Sequence, residues 1–166
     1  YGAALAALEQ GTISAAYFDG IYINKLNDIG ANVLINTMDP DQHKAIYGTE
    51  FYESQMVTVT KKFAEENPET VQKFVNASMK AIKWQTEHTD EELAELVSPM
   101  FEGKDMVEVI SILRDSLTRD GNYSKEGYEA IESFCLEQGI ISDPIGYENI
   151  IDMKYVNSAK ESLNIE

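Results

Sequence analysis

Apolar positions in the first sixty residues switch between two spacings. Residues 2–10 (Gly-Ala-Ala-Leu-Ala-Ala-Leu-Glu-Gln) are rich in helix formers, and Gly11 offers a C-terminal stop. Residues 13–18 form a short apolar run closed by Asp19-Gly20, the pattern of a strand buried on both faces. Tyr22, Leu26 and Ile29 then recur at helical spacing, Gly30 ends that helix, and residues 31–38 read as the next strand. Residues 1–38 thus predict helix, strand, helix, strand, which implies a parallel sheet with helices packed on it. Residues 39–50 read as a loop or a single helical turn. Residues 52–60 predict a further strand, with Met56, Val57 and Val59 as its apolar centre.

From Lys61 onward the spacing is helical almost throughout. Asn67-Pro68-Glu69 is a helix start: a cap residue, proline at the first helical position, and an acid near the positive end. Val71, Phe74, Val75, Ser78 and Ile82 form one stripe of the helix that follows. Thr89-Asp90-Glu91-Glu92 is a capping box and Asp105-Met106-Val107-Glu108 a close relative of one. Val109, Leu113 and Leu117 then share a face. Asp120-Gly121-Asn122 is a turn. Ser124 caps a helix with Ile131, Phe134 and Cys135 inward that ends at Gly139. A last helix is predicted from about Tyr155 to Leu163.

Composition narrows the function classes. The chain has 166 residues, 13 Lys and Arg against 29 Asp and Glu, and a formal net charge of −16. A polyanion would be repelled, so nucleic acid is excluded as a partner, and an anionic membrane surface is disfavoured for the same reason. One cysteine, Cys135, leaves no internal disulfide. No stretch approaches the ~18 apolar residues of a membrane span. His43 and His88 have no paired ligand spacing. Asp39, Asp41, His43 and Glu50 mimic a calcium loop, but Lys44 stands where the sharp turn needs glycine. There is no nucleophile elbow and no glycine-rich phosphate cradle. No catalytic residue, metal or cofactor is therefore expected.

Two places carry a binding argument. Tyr17-Phe18-Asp19-Gly20 falls at the carboxyl end of a predicted parallel strand and opens the next helix, where ligands of open α/β sheets bind. The rings offer stacking faces and Asp19 an acceptor for a ligand N–H. Asp19 as a mere helix cap, and Tyr17 or Phe18 as core, fit the same pattern. Tyr52 and Glu53 open the strand linking the α/β portion to the helical one, a junction ligand sites favour. An ordinary strand start fits them slightly better.

The order of these pieces resembles a known family. Ala4-Leu5-Ala6-Ala7-Leu8-Glu9-Gln10-Gly11-Thr12-Ile13-Ser14-Ala15-Ala16-Tyr17 is similar to the "ALxxGxIDAA" segment of ABC-transporter solute-binding proteins of the nitrate, sulfonate, taurine and thiamine-precursor branch. A second phrase runs from Val57 through Phe63-Ala64-Glu65-Glu66-Asn67-Pro68-Glu69 to Val71, Phe74, Ala77, Ala81 and Trp84, and is the more specific. Tyr123-Ser124-Lys125-Glu126-Gly127-Tyr128 with Phe134 matches a later pattern loosely. Ser14 stands where the family usually has Asp, and Gly20 where it often has Pro, which bears on ligand identity more than on fold.

The resemblance implies an α/β, periplasmic-binding-protein-like type II fragment, helix-rich, with short, mostly parallel strands. It implies that residues 1–50 belong to the second lobe, that residues 51–166 give a crossing strand and the helical layer of the first lobe, and that the family's N-terminal half is absent. It implies a non-enzymatic, extracytoplasmic receptor that closes on a small organic or oxyanion ligand and delivers it to a membrane permease. Tyr17, Phe18 and Asp19 would line the cleft, with Tyr22, Tyr52 and Glu53 beside them. Strands left without neighbours would pair with a second copy or need the other half. The alternatives are a thiamine-pyrimidine synthase on the same scaffold, opposed by the placing of His43 and His88, and a helical ligand-sensing or interaction domain.

Overall fold

A computed structural model of the chain describes residues 1–50, 55–101 and 105–165, with Asp115 described in its backbone alone. Among these residues the elements are helices α1 (Gly2–Glu9), α2 (Ile23–Asp28), α3 (Pro40–Tyr47), α4 (Lys61–Glu66), α5 (Pro68–Glu87), α6 (Asp90–Val97), α7 (Met106–Leu113), α8 (Lys125–Glu137), α9 (Tyr147–Ile150) and α10 (Lys154–Leu163). Three 3₁₀ turns, Gly20–Tyr22, Ser98–Met100 and Arg114–Ser116, join them. The chain divides into two compact units, Tyr1–Gln42 with Asp90–Leu117, and His43–Thr89 with Thr118–Glu166.

The α/β fold with parallel strands is overturned. The structure is 63% helical, and among the described residues no strand is present. Residues 13–18, 31–38 and the described part of 52–60 are not helical, yet none pairs with another in a ladder. A strand exists only when a neighbour satisfies its backbone groups. The exposure tells the same story: Leu34 is 81% exposed and Val57 72%, where parallel strands would be covered on both faces. The crossover is also too slight. α2 has six residues, a length of roughly 9 Å, short of the helix that normally carries a chain between parallel strands. An apolar run shows that burial is sought, but not that a partner provides it.

The first unit is built on α6 and α7. Leu93 and Ala94 on α6, with Met106 and Ile110 on α7, are its buried apolar residues. Asp105 caps α7, its carboxylate accepting from the N–H groups of Val107 and Glu108 at 3.1 and 3.2 Å. Arg114 reaches Asp90 at 2.6 Å, pairing the end of α7 with the start of α6. Gly20–Tyr22 packs on α7, and the Asn24 side-chain amide donates to Glu108 at 2.9 Å. Residues 39–50, read as a loop or single turn, are mostly helix. Asp39 accepts from the N–H of Gln42 at 2.9 Å in the first turn of α3.

The second unit packs α5 against α10. Met79 of α5 is 2% exposed and Ala159 of α10 fully covered, with Tyr155 buried beside them. The Gln72 amide donates to the Tyr155 carbonyl at 2.9 Å, and Lys83 caps the last turn of α10 through the Leu163 carbonyl at 3.3 Å. The turn before α8 is tied to α10: Lys160 lies 3.5 Å from Asp120 and donates to Asn122 at 3.1 Å. Gly121 takes φ 70° there. A Cβ on it would stand 2.5 Å from the Met79 sulfur. The sequence stripe of α5 missed Met79 and included Phe74, which is 54% exposed. Phe134, expected inward on α8, is likewise half exposed.

Candidate functional site

The candidate site lies in the first unit, where α1 and the Gly20–Tyr22 turn bring four aromatic rings together. α1 ends at Gly11, whose φ of 69° is the left-handed conformation a helix stop needs. The chain then runs from 13 to 18 without helix, and Asp19 (φ −68°, ψ 151°) leads into the 3₁₀ turn. That path returns residues 17–22 to the ring of Tyr1. Ring centroids lie 6.4 Å apart for Tyr1 and Tyr17, 6.0 Å for Tyr1 and Phe18, and 5.1 Å for Tyr1 and Tyr22. Phe18 and Tyr22 are 5.8 Å apart. All four pairs are tilted, the arrangement ring quadrupoles favour over a face-to-face sandwich.

Charge enters through Asp19. Its carboxylate makes no capping hydrogen bond to the turn it precedes. The Tyr1 hydroxyl donates to it, and partial burial together with that carboxylate raises the Tyr1 phenol above its ordinary value. Lys25 stands over the Tyr22 ring, 5.6 Å from its centroid. Tyr17 is 77% exposed, so one ring of the group offers a face to solvent. Gly20 is required by packing: a Cβ on it would run into the Met38 sulfur. A patch of tilted rings with one exposed face and one carboxylate can stack a flat solute and accept a hydrogen bond from it.

Of the residues singled out from sequence, Tyr17, Phe18, Asp19 and Tyr22 are brought together here. Tyr52 and Glu53 lie outside the described residues. The sequence reading missed Tyr1, which touches every other ring of the group, and Met38, which fills the space above Gly20. Both are joined to the site through space, and no spacing rule links them to residues 17–22. The calcium-loop mimic falls on α3, where Asp41 and His43 sit in helix. Among the described residues no group of three or more His, Cys, Asp or Glu is placed to hold a metal ion.

A comparison with protein families matches the NMT1/THI5-like model to residues 2–92, more than half of the 166 residues and the span holding Tyr17, Phe18, Asp19 and Tyr22. No curated protein and no solved structure matches the chain. The chain belongs to the NMT1/THI5-like family, a family of ABC-transporter solute-binding proteins for nitrate, sulfonate and thiamine precursors.

Proposed function

We propose that the protein is the extracytoplasmic solute-binding component of an ABC importer, and that it binds its ligand without transforming it. The receptor closes around a small molecule and presents the closed form to a membrane permease. The observation that carries this reading is the grouping of Tyr17, Phe18 and Tyr22 around Tyr1 with Asp19 at its edge; all but Tyr1 fall in the segment that matches the family.

The same group favours one ligand class within the family. A nitrate or sulfonate would meet the Asp19 carboxylate, in a chain of net charge −16, and the Lys25 ammonium beside it is already placed over the Tyr22 ring. A flat nitrogen heterocycle bearing an amino group fits better, since it stacks on tyrosine and donates an N–H to Asp19. The ligand we propose is therefore an aminopyrimidine of the thiamine-precursor class.

Calorimetric titration with an aminopyrimidine thiamine precursor, taurine and nitrate tests this. Saturable binding of the first alone supports it. Binding of taurine or nitrate in its place overturns the ligand class, and a chain that binds none of them overturns the receptor reading. A second reading, a helical ligand-sensing or interaction domain, draws on the 63% helix content. It is separated by ligand transfer: a receptor stimulates uptake by its permease, and a sensor does not.

A further inference from the structure

The second unit holds a cleft unrelated to the aromatic group of the first and outside the residues that match the family. It lies against α8 and α9, has a volume of about 310 Å³, and is lined by Lys125, Tyr128, Glu129, Glu132, Tyr147 and Glu148, with Gly146 and Asn149. That volume lies at the lower end of the range for small-ligand pockets.

The chemistry of the lining is one-sided. Tyr128 and Tyr147 meet edge to face, ring centroids 5.7 Å apart at 86°, and form a rigid aromatic corner. Both are locked: the Tyr128 hydroxyl donates to Glu132, and the Tyr147 hydroxyl to the Tyr123 carbonyl, each at 2.8 Å. The Glu132 oxygen that accepts from the Tyr128 hydroxyl also accepts from the N–H groups of Ile145 and Gly146 at 2.8 Å, fixing the loop that forms the far wall. Glu129 and Glu148, on the exposed rim, have neither hydrogen bond nor ion pair among the described residues. Three carboxylates thus face one lysine.

We propose that this cleft is a second binding site and that it takes a small organic ammonium ion. Tyr128 is buried behind the half-buried Tyr147, so the Tyr147 ring is the aromatic wall a ligand meets, and an aromatic wall beside rim carboxylates suits an alkylated ammonium group: the ring attracts the diffuse charge, and acids complete its neutralisation. The net charge of −16 raises the local concentration of any cation. It does so equally for sodium, which the rings do not select, and this difference gives the test.

The probe is tetramethylammonium, titrated into the intact chain while the backbone amides of residues 146–149 are followed by NMR. The expected result is saturable shifts in these amides, absent with sodium chloride at equal ionic strength. Glu148→Gln should weaken binding about fivefold, as loss of one charge partner would. Glu65→Gln, which removes an acid from the exposed face of α4, should leave it unchanged. Tyr147→Leu should abolish it; if that variant misfolds, Glu148→Gln decides alone. Equal shifts with sodium, or equal weakening by Glu65→Gln and Glu148→Gln, would mean a diffuse counterion atmosphere and would overturn the proposal.

Discussion

Asp19 is the residue on which the proposed binding turns. Asp19→Asn keeps its size and its exposed position but removes the charge. It should weaken aminopyrimidine binding about tenfold or more by calorimetry, the worth of a charge-assisted hydrogen bond. The melting temperature should change little, because the side chain caps nothing and Asn keeps an oxygen to accept from the Tyr1 hydroxyl. Glu132 and Tyr128 set a second expectation, in pH. Hydrogen bonds from the Gly146 N–H and the Tyr128 hydroxyl hold the Glu132 carboxyl below its usual range. Burial, and next that carboxylate, pushes the Tyr128 phenol up to about 12. A depressed acid stabilises the fold above its unfolded value near 4.5 and loses that contribution as pH falls through its folded value. A raised phenol stabilises below its unfolded value near 10 and loses it as pH rises from there towards about 12. Melting curves against pH should fall at both ends, and Glu132→Gln should flatten the acid limb. Contiguity decided what sequence could see at this scale. Tyr17, Phe18 and Asp19 adjoin one another and Tyr22 follows within a turn, so one pattern collects them. Tyr1 reaches them only after α1 has folded.

Helices were legible where their ends are chemical. Asp105 and Ser124 accept backbone N–H groups as their sequence contexts predict, and Gly11, Gly30 and Gly139 take positive φ at helix ends. Strands were not legible, because their existence depends on a neighbour that no local pattern names. Faces were read in part. In α5 the spacing found Val71, Val75 and Ile82 but passed over Met79, which sits on the same side and is the largest fully buried side chain among the described residues. Met79→Ala should cost about 2–4 kcal/mol, the usual range for a buried long side chain reduced to alanine, as a lowered urea midpoint. Gly121→Ala brings two penalties at once. Its φ of 70° disfavours any Cβ, and that Cβ would press on the Met79 sulfur. A loss of about 1–3 kcal/mol is expected, and in the Met79→Ala background it should shrink, because the obstructing sulfur is gone.

For the whole molecule the governing number is the charge. Sixteen uncompensated negatives repel one another across a chain of 166 residues, and added salt screens that repulsion. Raising sodium chloride from about 10 mM to about 300 mM should therefore raise the melting temperature; a flat or falling response would show that specific ion pairs such as Arg114 with Asp90 outweigh it. The charge also protects the unpaired segments. Residues 32–37 and 55–60, Asn-Val-Leu-Ile-Asn-Thr and Gln-Met-Val-Thr-Val-Thr, contain no charge, no proline and no glycine. Val33, Leu34, Ile35, Met56, Val57 and Val59 are exposed along them. Six-residue windows of that composition are the units from which cross-β fibrils zip together. The acidic residues elsewhere in the chain then act as gatekeepers at long range, holding molecules apart while these windows stay open. Near the isoelectric point of about 4.4 that guard is gone, and thioflavin-positive fibrils should grow from an otherwise clear solution.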